Sequence, residues 1–319
     1  MVHYLFLIDH APSFIEGWRL EDSSLVENGI LSTPGFALGV ADQISSALWR
    51  EHVGSAMTQP QFLALSELYH NPGIGHLEVA ERIGVDKVTI GPIIKKLTEQ
   101  VLIERGTDKG DARRSVLRIT AEGTNSLLES AAVADRMTEE LMSPLSITEQ
   151  AVVLQAWATM ARLASPYQGL QGGSGMDGST VPSPSYYPWY FLRIARRSFR
   201  RIWRDTVGDE ISASQFSIME AIRRIQPIDI RTAATQARVE ETTAIRIVMR
   251  GVRLRTFKDR RDPEDARRSL LTLTELGSLD FDRIAARLDE IQSMLCEGIP
   301  KRIFPEVHRL TRIVARLPE

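Results

Sequence analysis

The hydrophobic pattern changes period between Val85 and Gly123. Val85, Val88, Ile93, Ile94 and Leu97 recur near the 3.6-residue spacing, which predicts a helix. Two short β-prone pieces follow, Val101 to Glu104 and Ser115 to Ile119, around a polar glycine-containing tip. Upstream, Phe36, Val40, Ile44, Ala47 and Leu48 lie along one side of a helix expected from Gly35 to Val53. Phe62, Leu65 and Leu68 give the next helix its buried face. That helix opens on Thr58-Gln59-Pro60-Gln61, an N-cap before a first-turn proline. Ser212-Ala213-Ser214-Gln215 opens a later helix with the spacing of a capping box. A short helix from His76 to Ile83, a turn at Gly84-Val85 and a cap at Asp86 lead into the Val85–Leu97 pattern. Short helix, glycine turn, longer helix and charged hairpin together describe a helix-turn-helix with a basic wing. Long helices are expected from Thr120 to Met137 and from Ile147 to Ala164. Later equivalents are expected from Thr274 to Leu295 and from Lys301 to Leu317.

The pattern occurs twice. Asp111-Ala112-Arg113-Arg114-Ser115 returns as Asp265-Ala266-Arg267-Arg268-Ser269, 154 positions later. The same offset joins Pro34 to Pro188, Trp49-Arg50 to Trp203-Arg204, Gln61-Phe62 to Gln215-Phe216 and Gly123 to Gly277. One ungapped register from Pro34 to Leu163 points to two copies of one domain, too few for a solenoid. The expected fold class is mainly α with small β-wings (α+β). It comprises two tandem winged helix-turn-helix domains with a helical dimerisation-type region. The expected boundaries are an N-terminal extension over 1–32, domains over 33–165 and 187–319, and a Gly/Ser/Pro-rich linker over 166–186. The stretch Gln168 to Ser185 reads as flexible on composition.

Composition sharpens this picture in one respect. The chain of 319 residues has a net charge of only −2, but the charge is unevenly divided. Residues 1–165 carry 13 Lys+Arg against 21 Asp+Glu, and the remainder 26 against 20. A cationic half suits phosphate contact, or pairing with an acidic half. A single cysteine, Cys296, offers no disulfide framework. With no long apolar run and no basic leader before Tyr4-Leu5-Phe6-Leu7-Ile8, the expectation is a cytoplasmic protein without a membrane partner.

The ordered motifs resemble the MarR family of winged-helix transcriptional regulators. They are Thr33-Pro34-Gly35-Phe36, Thr58-Gln59-Pro60-Gln61-Phe62, the run Val79 to Val85, Thr89-Ile90-Gly91 and Leu102-Ile103-Glu104-Arg105. The wing adds Asp111-Ala112-Arg113 and then Ile119-Thr120-Ala121-Glu122-Gly123. The resemblance implies paired reading heads on a double-stranded DNA operator and release by a small aromatic or phenolic acid. With the repeat, the resemblance implies that here both heads lie on one chain, a single-chain pseudo-dimer expected to act as a repressor. The alternative is a ligand-sensing or protein-interaction module whose second head has decayed. Three departures from the family pattern bear on this: Val101 where glycine is usual, Pro92 inside the first recognition helix, and Gly251 in place of Leu97.

Candidate DNA contacts of the first head are Lys87, Thr89, Lys95 and Lys96, with Asp111, Arg113 and Arg114 at its wing. Those of the second are Thr243, Arg246 and Arg250, with Asp265, Arg267 and Arg268. Arginine at a wing tip suits a narrow minor groove, and an aspartate two residues earlier can orient it. Trp49, His52, Tyr69, Tyr190 and Trp203 are the candidate ligand-lining residues, although aromatics at helical spacing also serve as core. Arg193, Arg196, Arg197, Arg200, Arg201 and Arg204 form one cationic stripe, for phosphate or for acidic partners within the chain. No metal-ligand cluster, nucleophile–base set or phosphate-cradling loop is evident, so neither cofactor nor catalysis is expected.

Overall fold

The computed structural model describes residues 29–54, 56–107, 110, 115–163, 181–263, 265 and 268–317. Residues 1–28 of the expected extension over 1–32 and the wing residues Asp111, Arg113, Arg114 and Arg267 lie outside them. So does the part of the expected linker before Val181.

The described residues are mostly helical, with two small sheets among them. In chain order come α1 (Pro34–Val53), α2 (Gln59–His70), α3 (His76–Arg82), α4 (Lys87–Glu99), β1 (Ile103–Thr107) and β2 (Ser115–Ile119). Next are α5 (Ala121–Met142), α6 (Ile147–Arg162), α7 (Pro188–Val207), α8 (Ala213–Arg224), β3 (Ile228–Asp229) and α9 (Ile230–Gln236). The chain continues through α10 (Glu241–Arg253), β4 (Phe257–Arg261), β5 (Ser269–Leu273), α11 (Glu275–Ala285), α12 (Leu288–Leu295) and α13 (Phe304–Val314). Strands β1 and β2 pair antiparallel from Ile103↔Ile119 to Thr107↔Ser115. The second sheet has the order β3-β5-β4, with Phe257 opposite Leu273 and Ile228 opposite Leu271.

Two compact units are present, and neither is one continuous stretch. The first takes Ala41–Ser198 and the chain from Gly298 onward; the second takes Phe199–Glu297 and the stretch ending at Val40. Each has an aromatic core built at matching positions. In the first, Trp49 packs 5.2 Å from Phe62, and its indole N–H donates to the Met57 carbonyl at 2.7 Å. In the second, Trp203 packs 5.6 Å from Phe216 and donates to the Ile211 carbonyl at 2.8 Å. Tryptophan buries a large apolar area, and satisfying its N–H removes the cost of burying that donor.

Local chemistry explains the helix starts. Pro60 sits in the first turn of α2, and the Thr58 backbone N–H donates to Gln61 Oε1 at 2.8 Å, closing a capping box. At α8 the Ser212 hydroxyl accepts from the Gln215 N–H at 3.2 Å. Thr120 and Thr274 do more than cap. Each hydroxyl accepts from a glycine N–H three residues on, at 2.9 Å from Gly123 and 3.0 Å from Gly277. Thr120 also donates to the Val101 carbonyl at 2.8 Å, and Thr274 to that of Arg255 at 2.6 Å. A Cβ on Gly123 would fall 2.0 Å from the Leu102 carbonyl oxygen, and one on Gly277 2.1 Å from that of Thr256. The Thr-x-x-Gly spacing therefore locks each hairpin to the helix that follows it.

Three expectations need correction. The helix expected from Thr274 to Leu295 is broken between α11 and α12, where Arg287 leaves the helical path. Its guanidinium donates to the Thr206 carbonyl and pairs with Glu290. The last helix begins at Phe304 rather than Lys301, because Pro305 takes a first-turn position where its missing N–H is not needed. Finally, Val181 to Ser185 is not a flexible tether. Val181 is buried, the Ser66 hydroxyl donates to the Pro182 carbonyl at 3.0 Å, and a short 3-10 turn spans Pro184–Tyr186.

Candidate nucleic-acid interface

The first reading head is α3, a turn and α4. Gly84 makes the turn at φ +72°, a left-handed conformation that suits glycine. The Asp86 carboxylate caps α4, accepting from Val88 N–H at 3.1 Å and Thr89 N–H at 2.7 Å. Ile90, Ile94 and Leu97 are buried, so the opposite face of α4 turns outward. That face carries Lys87, Val88, Thr89, Gly91, Pro92, Lys95 and Lys96, all exposed. All four groove residues anticipated from the sequence thus share one accessible surface. Val88, counted in the sequence pattern as apolar and inward, is instead 84% exposed. Its placement follows from the 100° step between residues, which leaves position 88 opposite Ile90 and Ile94. Pro92 does not end the helix. Its missing N–H deprives only the Val88 carbonyl, on a face open to water.

The second head is α9, a turn at Ala237–Arg238 and α10. Arg238 takes φ 51° where the first head has glycine. Ala244, Val248 and Gly251 are buried, and Arg246, Met249, Arg250 and Arg253 are exposed. Thr243 is half-buried. The two glutamates at the helix start behave differently from Asp86. Glu240 accepts from the Thr242 hydroxyl at 2.6 Å and the Thr243 hydroxyl at 3.2 Å, and Arg246 donates to Thr243 at 3.1 Å. The Thr242 hydroxyl, then Thr243 and the Arg246 charge, hold the Glu240 carboxyl below its ordinary range. Thr243 and Arg246, two of the anticipated contacts, are therefore tied into one network with that glutamate.

Gly251 is not a defect. A Cβ there would lie 2.3 Å from the Phe257 ring, and Phe257 is buried. The equivalent positions in the first head hold Leu97 and Ile103, also both buried. A leucine–isoleucine contact has been exchanged for glycine–phenylalanine, which keeps the space filled. Gly251 therefore leaves no packing gap at this point; only the lower helix propensity of glycine remains, about 1 kcal/mol.

At the second wing, Arg268 faces inward to its own hairpin. Its guanidinium lies 2.8 Å from Asp229 and 3.8 Å from Asp262, and the Arg268 backbone N–H donates to the Asp265 carbonyl at 2.9 Å. Asp229 also caps α9 through the Thr232 N–H at 3.0 Å. Although partial burial opposes ionisation, the hydrogen bonds from Thr232 and Arg268 hold the Asp229 carboxyl at about 2. Sequence reading missed Asp229 because its partner lies 39 residues away. The Asp-x-x-Thr spacing of an N-cap was its only local signal.

The arginine stripe on α7 is largely engaged. Arg193 donates to Gln59 at 3.3 Å, Arg196 pairs with Asp42, and Arg197 donates to the Glu81 carbonyl at 3.1 Å. Arg201 and Arg204 lie 3.7 and 3.5 Å from Asp205. Of the candidate ligand residues, Trp49 and Tyr190 are buried in the first unit, the Tyr190 hydroxyl donating to the Arg82 carbonyl at 2.7 Å. His52 is half-buried and lies 2.7 Å from Glu140; Tyr69 is half-buried against His70. Trp203 belongs to the second unit. Burial pushes the Cys296 thiol up to about 12. Among the described residues, no cluster of His, Cys, Asp or Glu is placed to hold a metal, and no helix is long and apolar enough to cross a membrane.

Comparison with known proteins picks out the sequence of the first head. Residues 57–115 match the MarR family model. The transcriptional regulator HosA of Escherichia coli O127:H6 is 28% identical over 113 residues, covering 35% of this chain and 83% of HosA. The HTH-type transcriptional repressor NicR of Pseudomonas putida is 26% identical over 121 residues, covering 38% of this chain and 77% of NicR. Among solved structures, the PcaV transcriptional regulator from Streptomyces coelicolor is 32% identical. It covers 40% of this chain and 95% of its own, with a TM-score of 0.36.

Proposed function

We propose that this chain, whose residues 57–115 belong to the MarR family, is a transcriptional repressor. It reads duplex DNA with two non-identical heads as a single-chain pseudo-dimer. The observation that carries the reading is the matched placement of α4 and α10. Each follows a short helix and a tight turn, each precedes an antiparallel hairpin, and each turns a basic face outward. Lysines and arginines on such a face supply phosphate attraction, and Thr89 can meet a thymine methyl or a phosphate. The repeated offset of 154 residues supports placing both heads on one chain. Repression is favoured by the likeness to NicR, a repressor by name.

Release by a small aromatic ligand is the finer part of the proposal. It rests on the family resemblance and on the rings collected in the first unit. Tyr187 stacks 5.0 Å from Trp189 and lies 5.4 Å from Phe62. Its buried hydroxyl has no hydrogen-bond partner among the described residues and is available to a bound molecule. Selection from a random duplex library tests DNA reading, and competition with aromatic acids on the selected duplex tests release. An enriched sequence supports the regulator. Absence of enrichment favours a protein-interaction module, for which exposed Met249 and Ile245 on α10 would be the docking residues.

A further inference from the structure

Residues 154 positions apart touch one another. Asp42 on α1 pairs with Arg196 on α7, and the Trp157 indole on α6 donates to the Thr311 hydroxyl on α13 at 3.1 Å. In a two-fold assembly, a residue that meets its own equivalent lies on the axis. Here the two equivalents have opposite or complementary chemistry. Asp42 is only 4% exposed, and Arg196 supplies its counter-charge. Trp157 brings a donor and bulk, and Thr311 an acceptor and little bulk.

A second contact, off the axis, occurs twice with its sizes exchanged. In the first unit the Trp189 indole donates to the Thr138 hydroxyl at 3.1 Å. In the second unit the equivalent positions are Gly35 and Gln292, and the Gly35 N–H donates to Gln292 Oε1 at 3.0 Å. A large residue faces a small one in both places, and both large ones, Trp189 and Gln292, belong to the second copy. Gly35 also lies against the Phe199 ring, where a Cβ would approach to 2.4 Å. Position 45, equivalent to 199, holds serine.

From these contacts we infer that the two copies have become obligate unlike partners: the interface between them is coded against pairing of like with like. The inference rests on the single-chain pseudo-dimer reading. Two first copies together would set Asp42 against Asp42 and Trp157 against Trp157, and would leave Gly35 facing Thr138 across a void. Two second copies would oppose Arg196 to Arg196 and force Trp189 against Gln292 and Phe199. Buried like charges, overpacking and cavities are each destabilising, and their combination rejects both wrong pairings. Such a code keeps two covalently joined chains from exchanging halves into open-ended assemblies.

The test uses the full chain with a protease site inserted between Leu163 and Val181. After cleavage the protein is unfolded in denaturant, refolded and weighed by native mass spectrometry. The expected result is pairs of one first and one second half. Like pairs and unlike pairs in the statistical ratio of about 1:2:1 would overturn the code while leaving the pseudo-dimer intact. Halves that remain apart would overturn the pseudo-dimer reading itself. In the uncleaved chain, Asp42→Arg and Arg196→Asp should each lower Tm by about 5 °C, and the double exchange should recover most of that loss. A double variant as unstable as the two losses added would remove the charged pair from the code.

Discussion

The ring of Phe257 lies where a side chain on residue 251 would be. A Cβ on Gly251 would sit 2.3 Å from that ring, so the glycine and the phenylalanine form one packing unit. Restoring the leucine of the first copy, Gly251→Leu, should therefore destabilise the protein by about 2 kcal/mol despite better helix propensity. The double variant Gly251→Leu with Phe257→Ile should recover most of the loss. Denaturant midpoints of the three proteins measure this. A single variant as stable as the parent would mean that the ring moves aside without cost.

This pair also marks the limit of what the sequence made legible. Local chemistry was readable: Asp86 before Lys87, Thr58 before Pro60, and Thr120 three residues before Gly123 each announce the hydrogen bonds found. Helical period placed Ile94 and Leu97 inward, but it put Val88 with them and passed over Ile90, which is buried. Compensation between distant residues was not readable, because Gly251 looks like a loss until Phe257 is seen against it. The engagement of Arg268 by Asp229 was hidden for the same reason, whereas acidic partners for the α7 stripe were one of its two readings, of which Arg196 with Asp42 is an instance. A free cationic side chain and a paired one look alike in sequence.

Val101 and Arg255 both occupy the left-handed region, at φ 59° and φ 60°. A side chain there is strained, more so when β-branched. Val101→Gly should stabilise the protein by about 0.5–1 kcal/mol, the strain relieved exceeding the extra entropy of unfolded glycine. Arg255→Gly should gain less. Thermal unfolding decides, and a lower Tm for Val101→Gly would refute the strain argument. Val101 is 66% exposed, so little packing is lost to confuse the result.

His308 on α13 supplies a dependence on pH. Burial, with the nearby Arg312 charge, lowers it to about 4. In the unfolded chain it titrates near about 6.5. Between these values the unfolded chain binds a proton that the folded chain does not, so stability falls as pH drops from 6.5 through 4. His308→Leu, the residue at the equivalent position 154, should flatten this part of the stability profile. Parallel profiles for the two proteins would contradict the assignment. Asp229 acts in a lower window: its contribution is present above about 3.9 and is lost as pH falls through about 2.

The two kinds of DNA contact should separate experimentally. Removing a phosphate contact weakens all sequences alike and lowers the salt slope by about 1, whereas removing a base contact changes the preferred sequence. Lys87→Ala and Thr89→Ala are expected to relax preference at particular base pairs. Arg113→Ala at the wing should weaken binding broadly. Arg268→Ala should act chiefly on stability, since its guanidinium already holds Asp229 and Asp262. Fluorescence anisotropy at several salt concentrations, on one selected duplex and its point variants, distinguishes these outcomes.

The central claim, that one chain carries two unlike reading heads, is tested most directly by saturation mutagenesis of a selected duplex combined with the mass of the complex. The account predicts one chain per duplex and two half-sites about 10 base pairs apart. The half-site under α4 should be sharply defined. The one under α10 should be more diffuse, because Thr243 already donates to Glu240 and Arg246 to Thr243. A palindromic site occupied by two chains, with equal information in both halves, would contradict it.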